Sequence, residues 1–483
     1  MRIRPILSVL GFLLVIVSLA MLTALFFSFH YDEDFRPLLF SGLITFAVGI
    51  LLMRSFRRVE PEEGLGIREG FAIVTFGWVI APVFGCLPFI LSGAIPSFTD
   101  AYFEALSGFT TAGASILRDV EAMPKGELYW RCLTQWLGGL GIIVMALAIL
   151  PLLGVGGMQL FKAEVAGPTK DKLTPRVAET ARLLWGVYVL VTAAEVMMLM
   201  VGGVSFYDAL CHSFTTIATG GFSTKNASIA SFNSAYVDGV VTLFMFVGAT
   251  NFALHFSALK GGVKGYFRDN EWMFFTVSFL VAVAIMTLVV APSSYEGDYP
   301  AAFRYVAFNL MSVMSTTGYA TADFALWAPM AQAALLFLMF PGGCAGSTSG
   351  GMKSIRVLLL LKTAMNELKK LIHPKAVVPM RYNGRVVDQE VLMTIAGFII
   401  LFLVTFSTAT IILTLTGLDI VSSMSGVVAC MSTVGPGLGA VGPMANYADL
   451  SDLAKWTLSV CMLVGRLELF TVFVLFSKSF WKS

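Results

Sequence analysis

Long apolar segments separated by short polar ones dominate this chain of 483 residues. A helix needs roughly 20 apolar residues to cross a membrane, whereas a strand of a membrane β-barrel needs about half as many, with alternating polarity. The pattern therefore predicts an all-α polytopic membrane protein. About ten segments are long enough for a helical crossing, and they cover residues 6–29, 37–53, 70–92, 128–153, 182–203, 235–260, 271–292, 329–362 (interrupted by glycines), 391–416 and 453–478.

A short polar motif that contains glycine recurs four times among these segments. In every copy a threonine stands two residues before one aligned glycine, and the phenylalanines Phe98 and Phe206 lie at the same distance upstream of their glycines. One such match would mean little, but four copies about 100 residues apart indicate an internal repeat. The four copies read SGFTTAGAS (107–115), TTIATGGFS (215–223), SVMSTTGYA (312–320) and ACMSTVGPG (429–437).

Each aligned glycine ends a segment of about a dozen residues, which as a helix is about 18–20 Å long and covers only part of a hydrocarbon core of about 30 Å. Such a helix enters the membrane and must turn back, which is tolerated only where protein buries the turn or water lines it. The repeat therefore predicts four helix–pore loop–helix units around a central pore. Helix C-termini and glycine-exposed carbonyls at its centre would attract a monovalent cation.

Composition supports the membrane assignment, and the charge distribution gives it an orientation. Hydrophobic residues make up 57% of the chain and charged residues 13%, with a mean hydropathy of +0.81. Basic residues cluster at 54–68, 162–182, 260–268 and 362–385, while acidic residues predominate on the other predicted side. By the positive-inside rule both termini lie in the cytoplasm. The basic loops report this orientation, and we expect no nucleic-acid binding.

The sequence contains no constellation typical of an enzyme or of a metal centre. Its six cysteines are scattered without CxxC spacing, and its four histidines form no HExxH pattern. We therefore expect no enzymatic activity and no cofactor bound by this chain. The alternative to a cation pathway is a secondary transporter of a solute coupled to sodium or protons, which would use inverted repeats, whereas these four units repeat in parallel.

Three further stretches, together with the four loops, resemble the TrkH type of the Trk/Ktr/HKT superfamily of bacterial potassium uptake proteins. They are QWLGGLGIIVMALAILPLLGVGGMQL (135–160), FPGGCAGSTSGGMKSIR (340–356) and GRLELFTV (465–472). The resemblance implies potassium uptake at the bacterial inner membrane, two extra N-terminal helices and a homodimer. It also implies a cytoplasmic TrkA-type partner that forms a ring, binds nucleotide and gates the pore.

The resemblance also assigns potassium-binding residues and boundaries. The boundaries are 1–60 for the N-terminal helix pair and 61–160, 161–262, 263–370 and 371–483 for the four pore repeats. Because the residues beside the glycines differ between repeats, we expect fewer well-formed ion sites than in a homotetrameric channel. By similarity the selectivity filter consists of Thr111, Ala112, Gly113, Thr219, Gly220, Gly221, Thr316, Thr317, Gly318, Thr433, Val434 and Gly435.

The eighth apolar segment is broken by PGGCAGSTSGG (341–351), which has too many glycines for a regular helix. It nearly matches a phosphate-binding loop, but Met352 breaks the spacing and an apolar membrane segment rather than a core strand precedes it. In the resembling family this stretch is an intramembrane loop under the filter that obstructs ion flow until the partner moves it. The predicted gating residues are Gly342, Gly343, Gly346, Gly350, Gly351, Lys353 and Arg466.

Arg466 lies near the middle of the last predicted crossing, where an arginine costs about 2.5–3.5 kcal/mol on insertion scales. We expect it below the filter, holding the 341–351 loop closed, with a purely structural ion pair as the alternative. Glu468 does not share its helix face, and a second buried acid, Glu195, has no assigned role. The sequence leaves open whether flux is channel-like or coupled to sodium or protons, the potassium over sodium ratio and the regulatory nucleotide.

Overall fold

The structure is a computed structural model that describes residues 3–55, 66–148, 173–374 and 378–481. Within these ranges nearly all regular structure is helical, and the only strands are the two-residue β1 (Arg381–Tyr382) and β2 (Arg385–Val386), which pair in an antiparallel hairpin. The expected all-α polytopic fold is confirmed. The helices form an N-terminal pair followed by four repeats, which we call quarters. Each quarter has an outer helix, a short re-entrant helix, a return segment and an inner helix or inner element.

The N-terminal pair consists of α1 (Ile3–Thr23), the short α2 (Leu25–His30) and α3 (Arg36–Ser55). Small residues let α1 and α3 approach closely as antiparallel neighbours: a Cβ added to Gly11 would lie 2.7 Å from the carbonyl oxygen of Gly49. Close packing of small residues is the usual way in which helices associate in a membrane.

The first quarter begins with the outer helix α4 (Ile67–Gly85) and its continuation α5 (Leu87–Leu91). Its re-entrant helix is α6 (Phe98–Phe109), and its inner helix is α7 (Lys125–Ala148). The predicted crossing 128–153 and the predicted boundary at 160/161 extend into 149–172, outside the described residues.

The second quarter has the outer helix α8 (Leu173–Val201) and the re-entrant helix α9 (Phe206–Ile217). The predicted inner crossing over 235–260 is not one straight helix: α10 (Ala235–Gly248) and α11 (Phe252–Leu259) meet at 102°. After the turn the Asn251 side chain accepts a hydrogen bond from the backbone N–H of Ala253 and caps the start of α11.

The third quarter contains α12 (Asn270–Ser294), the re-entrant α13 (Tyr299–Met314), and an inner element split into α14 (Pro329–Leu338) and α15 (Ser354–Ile372). The glycine-rich loop at 341–351 connects the two parts of this inner element. The predicted interruption of the 329–362 segment is therefore present.

The fourth quarter contains α16 (Gln389–Leu415), the re-entrant α17 (Ile420–Met431), and α18 (Asp452–Arg466), followed by α19 (Leu469–Phe473) at 110°. A last short helix, α20 (Lys478–Trp481), ends the described chain. The predicted crossing at 453–478 is therefore bent as well.

Two of the predicted crossings, at 235–260 and 453–478, are bent helix pairs in the described residues. Among the described residues six helices are long and apolar enough to cross a membrane, or eight if each bent pair counts as one crossing. Hydropathy alone counts apolar residues and does not register a change of helix direction.

Four short helices lie at the centre of the fold. From Ala101 to Phe109 every residue of α6 is buried, and α6 packs on the fourth quarter's α18, α9 on α7 and α13 on α10. A serine or aspartate caps the start of each one through a backbone N–H three residues on, and these caps are Ser97, Ser205, Asp298 and Asp419. The quarters therefore interlock around their re-entrant helices.

Candidate functional site

The four re-entrant helices end in the same way. The threonine of each motif has a positive φ, which is unusual for a β-branched residue, and the next residue donates its backbone N–H to a carbonyl five residues back, at 2.7–2.8 Å in every quarter. This is the Schellman arrangement that satisfies the last carbonyls of a helix. The φ values are 54° at Thr111, 52° at Thr219, 61° at Thr316 and 55° at Thr433.

The return segments that follow (110–116, 218–224, 315–321 and 432–438) meet in a closed ring. A Cβ added to Gly113 would lie 2.3 Å from Gly220 O, and one added to Gly221 would lie 1.9 Å from Thr317 O. The same test places Gly318 against Val434 O at 1.9 Å and Gly435 against Ala112 O at 2.8 Å. All four aligned glycines also have positive φ, between 75° and 94°, so no side chain fits at these positions.

The ring brings together all twelve residues that the sequence assigned to the filter. Each glycine faces the carbonyl that precedes the next quarter's glycine, in the order first, second, third, fourth and back to first. A contact that repeats in one direction around a closed ring requires rotational pseudo-symmetry about one axis. The four units therefore repeat in parallel and not as inverted pairs.

Two of the four threonine hydroxyls have no hydrogen-bond partner among the described residues. The side-chain oxygens of Thr111 and Thr433 are buried, and no hydrogen bond to either is present in the described part of the chain. Buried hydroxyls are normally hydrogen-bonded. Within the described residues these two buried oxygens are therefore left unsatisfied.

One side chain of each re-entrant helix holds its own return segment, which the sequence analysis missed. In the first quarter Glu104 accepts a hydrogen bond from the backbone N–H of Ile116 at 2.8 Å. Asn309 plays this part in the third quarter, donating to the Thr321 hydroxyl at 3.1 Å. His212 and Ser425 do so in the second and fourth quarters, with Ser223 and Leu438 as partners. Glu104, His212 and Asn309 stand nine residues before their aligned glycines and Ser425 stands ten before its own, and their types differ, so no shared letter marked them.

The glycine-rich loop at 341–351 lies against the inner ends of the return segments. The Thr348 hydroxyl donates to Ile217 O at 2.8 Å, the last residue of the second re-entrant helix. The hydroxyls of Thr316 and Ser349 are 3.0 Å apart, and the backbone N–H of Gly350 donates to Thr316 at 2.8 Å. The loop therefore touches the second and third quarters through specific hydrogen bonds.

The predicted gating positions require glycine for two different reasons, a positive φ or a lack of space for a side chain. Gly342, Gly346 and Gly351 have φ values of 68°, 73° and 72°. Gly343 and Gly350 are confined instead, since a Cβ on Gly350 would lie 2.1 Å from the Thr433 hydroxyl oxygen and one on Gly343 2.8 Å from Ala249 O. The loop is thus packed against the fourth quarter as well.

Arg466 ends α18 and is 2% exposed. Its Nη1 donates to Thr348 O at 2.7 Å and its Nη2 to Gly138 O at 3.2 Å. We expected it in the middle of a continuous crossing, whereas it lies at the 110° bend. Among the described residues no carboxylate pairs with it. The nearby Glu468 pairs instead with Arg356 at 2.5 Å.

Two residues from the sequence analysis remain: Lys353 lies beside the loop, and Glu195 lies in α8. Lys353, at a φ of 73°, donates from Nζ to Ser349 O within the loop region. Glu195 is fully buried in α8. The described residues contain no cluster of metal-ligating side chains, and the six cysteines are free and buried.

Comparison with known proteins agrees with this geometry. The TrkH family, described as cation transport protein, matches residues 39–483. The Trk system potassium uptake protein TrkH of Salmonella typhimurium is 40% identical over 486 residues, with 100% of both chains covered. TrkH of Escherichia coli K12 is 40% identical over 487 residues, again over 100% of both chains.

A solved structure shows the same fold. The crystal structure of the potassium transporter TrkH from Vibrio parahaemolyticus has a TM-score of 0.91 at 36% identity, with 100% of both chains covered. These relatives are transporters and not enzymes. The chain therefore belongs to the TrkH family of cation transport proteins.

Proposed function

We propose that this protein takes up potassium across the bacterial inner membrane through the ring of four return segments. One observation carries the proposal: four glycines with positive φ, each against the carbonyl of the next quarter, close into one ring. The names of its relatives, the Trk system potassium uptake proteins, supply the ion.

The chemistry of the ring suits a dehydrated monovalent cation. Backbone carbonyls can replace the hydration shell of potassium, and the C-termini of four re-entrant helices add partial negative charge. The unpartnered hydroxyls of Thr111 and Thr433 are further oxygen ligands. The filter then consists of the twelve predicted residues, with no carboxylate among them.

The 341–351 loop is the gate in this proposal. It contacts the inner ends of three quarters, and Arg466 holds its Thr348 carbonyl. Arg466, which has no carboxylate partner among the described residues, also repels cations from beneath the path. Opening requires this loop to leave its hydrogen bonds.

The gate needs a force from outside the described chain. We propose a homodimer in the membrane and a cytoplasmic, nucleotide-binding partner of the TrkA type that moves the loop, with both termini of this chain in the cytoplasm. The relatives' designation as parts of a Trk system supports a multi-component assembly. A solute transporter with inverted repeats fits less well, because the ring has one rotational direction.

Reconstitution in liposomes tests the filter. With the cytoplasmic partner reconstituted as well, so that the gate can open, we expect the parent protein to pass rubidium, a potassium substitute, much faster than sodium. Replacing Gly113, Gly221, Gly318 or Gly435 by serine should lower the rubidium over sodium ratio, since each new side chain collides with a neighbouring carbonyl. The matched control is Gly93→Ser, because Gly93 has a φ of 76° and nothing within 4 Å of an added Cβ. Unchanged ratios in all four ring variants would show that the ring is not the filter.

A further inference from the structure

Gln135 of the inner helix α7 binds the return segment of the next quarter on both sides of its aligned glycine. Its Nε2 donates to Gly220 O at 2.7 Å, and its Oε1 accepts from the backbone N–H of Phe222 at 3.0 Å. Gln135 is fully buried. A Cβ on Gly220 would lie 2.4 Å from the Gln135 amide carbon, so the glycine at 220 is what admits this amide.

Arg131, one turn earlier on α7, continues the contact. Its Nη1 donates to Ser223 O at 3.1 Å, and its guanidinium carbon lies 3.4 Å from the centroid of the Phe222 ring. Its Nε pairs with Glu104 at 2.6 Å, with both side chains at most 3% exposed. Gln135 and Arg131 together hold the backbone from 220 to 223, and we call this pair the α7 clamp.

The quarters with comparable inner helices lack this clamp. Gly138, Gly248 and Gly465 are equivalent positions, since a Cβ on each would lie within 3.2 Å of the final carbonyl of that quarter's re-entrant helix. The residue three positions before the glycine is Gln135 in the first quarter. In the second and fourth quarters it is Met245 and Met462, which are apolar and fully buried. Seven residues before them stand Arg131, then Val241 and Leu458.

The clamp acts on one of the four carbonyls that close the ring. Gly220 O faces Gly113 in the ring, and the amide of Gln135 occupies one of its two lone pairs. A carbonyl held in this way cannot tilt freely towards a smaller ion. Selectivity in such rings depends on the number, position and field strength of the carbonyl ligands.

We propose that Gln135 is a positioning residue that determines selectivity: it fixes the Gly220 carbonyl at the distance that suits potassium and keeps it from closing around sodium. This inference rests on the proposed function, since it assumes that the ring conducts potassium. Gln135 itself touches no ion.

The first test variant is Gln135→Met, which copies the residue of the second and fourth quarters and keeps the volume. In liposomes that also contain the partner, its rubidium over sodium flux ratio should fall about fivefold to tenfold, in line with the loss of the one buried hydrogen bond that holds the Gly220 carbonyl. The matched control is Gln332→Met, because Gln332 also donates its amide to two carbonyls, Ala325 O and Trp327 O, at 2.8 and 2.9 Å, away from the ring.

The second variant, Gln135→Glu, gives a readout that a merely structural role would not move. A protonated carboxyl donates an O–H to Gly220 O, whereas an ionised carboxylate has no proton to give and repels that carbonyl. We expect the ratio of this variant to approach that of the parent at the lowest pH that the liposomes tolerate, where the carboxyl is protonated, and to be lower at about pH 8, where it is ionised, while the ratio of the parent changes little between them.

The outcomes separate the inference from the function on which it rests. If both Gln135 variants keep the parent ratio at both pH values while the ring glycine variants lose it, the filter stands and the role of Gln135 is refuted. A loss in Gln332→Met as large as in Gln135→Met would also refute it, because the effect would then be general. A parent protein with no preference for rubidium would overturn the proposed function itself.

Discussion

Removal of the Arg466 side chain should open the pathway without any partner protein. Arg466→Ala deletes the hydrogen bond from Nη1 to Thr348 O, at 2.7 Å, and the bond from Nη2 to Gly138 O, at 3.2 Å. Only the first of these bonds joins the arginine to the 341–351 loop. The second holds the arginine to the first quarter, so that α18 connects the loop to the inner helix α7.

The size of the effect follows from the bond that holds the loop. A hydrogen bond from a charged group contributes about 1.5–3 kcal/mol, and every 1.4 kcal/mol is a factor of ten in an equilibrium. The closed state of the loop should therefore lose about 10- to 100-fold of its preference. Basal flux should rise by a comparable factor until the loop is open most of the time. The ratio of rubidium to sodium should be preserved, because the ring is untouched.

The assay is rubidium and sodium uptake into liposomes without partner protein, per molecule inserted in the membrane. A buried arginine that is removed also leaves cavities and unpaired carbonyls, so each variant must first elute as a single folded species. Deletion of several residues within 341–351 supplies an independent variant of the same gate. Arg304→Ala is the control, since Arg304 is partly buried and pairs with Asp238 at 2.7 Å in a region away from the loop.

Two results would refute the gating role of Arg466. If well-folded Arg466→Ala and loop-deletion proteins both leak no faster than the parent, the loop is not the barrier. If the loop deletion leaks but Arg466→Ala does not, Arg466 has a structural role and other contacts hold the loop. A leak that also loses selectivity would instead indicate damage to the ring.

Two further predictions concern the loop and the fourth re-entrant helix. Gly350→Ala should raise basal flux, because the new Cβ would lie 2.1 Å from the Thr433 hydroxyl oxygen and displace the loop. Gly186→Ala is the control, since a Cβ there has nothing within 4 Å. Equal fluxes in the two variants would contradict a gating role of the loop. Hydrogen bonds from Ser422 hold the pKa of Asp419 below its usual range, so the stability that this cap adds to α17 is present above about pH 4 and lost as pH falls further. Thermal unfolding should show this loss in the parent and not in Asp419→Asn.

The structure shows side-chain hydrogen bonds to the return segments that no sequence pattern predicted. Glu104, His212, Asn309 and Ser425 hold their return segments with four different chemistries, so an alignment on shared letters passes over them. Gln135 lies in a stretch that carried the family resemblance, yet its two partners are 85 and 87 residues away. A side chain's partner at such a distance is decided by how the quarters pack.

The two bent inner elements show the same limit. Hydropathy predicts single crossings at 235–260 and 453–478. In the first, α10 ends where the loop of the third quarter binds the chain: the backbone N–H of Cys344 donates to Ala249 O at 2.8 Å. The bend near Arg466 includes Glu468 at a φ of 58°, whose carboxylate reaches Arg356 of the third quarter. Both bends depend on residues about 100 positions away, which hydropathy cannot register.

The sequence by itself determined the all-α class and the four glycine-centred returns, because helix length, helix caps and positive-φ glycines are local properties that neighbouring residues express. The four threonines and glycines could be named from their spacing for this reason, and the structure brings them into one ring. Only the tertiary structure decided which carbonyl each glycine faces, where the inner helices bend, and that Arg466 and Gln135 hold segments of other quarters. Those choices depend on contacts between residues far apart in the chain, and such contacts form only when all four quarters close around one axis.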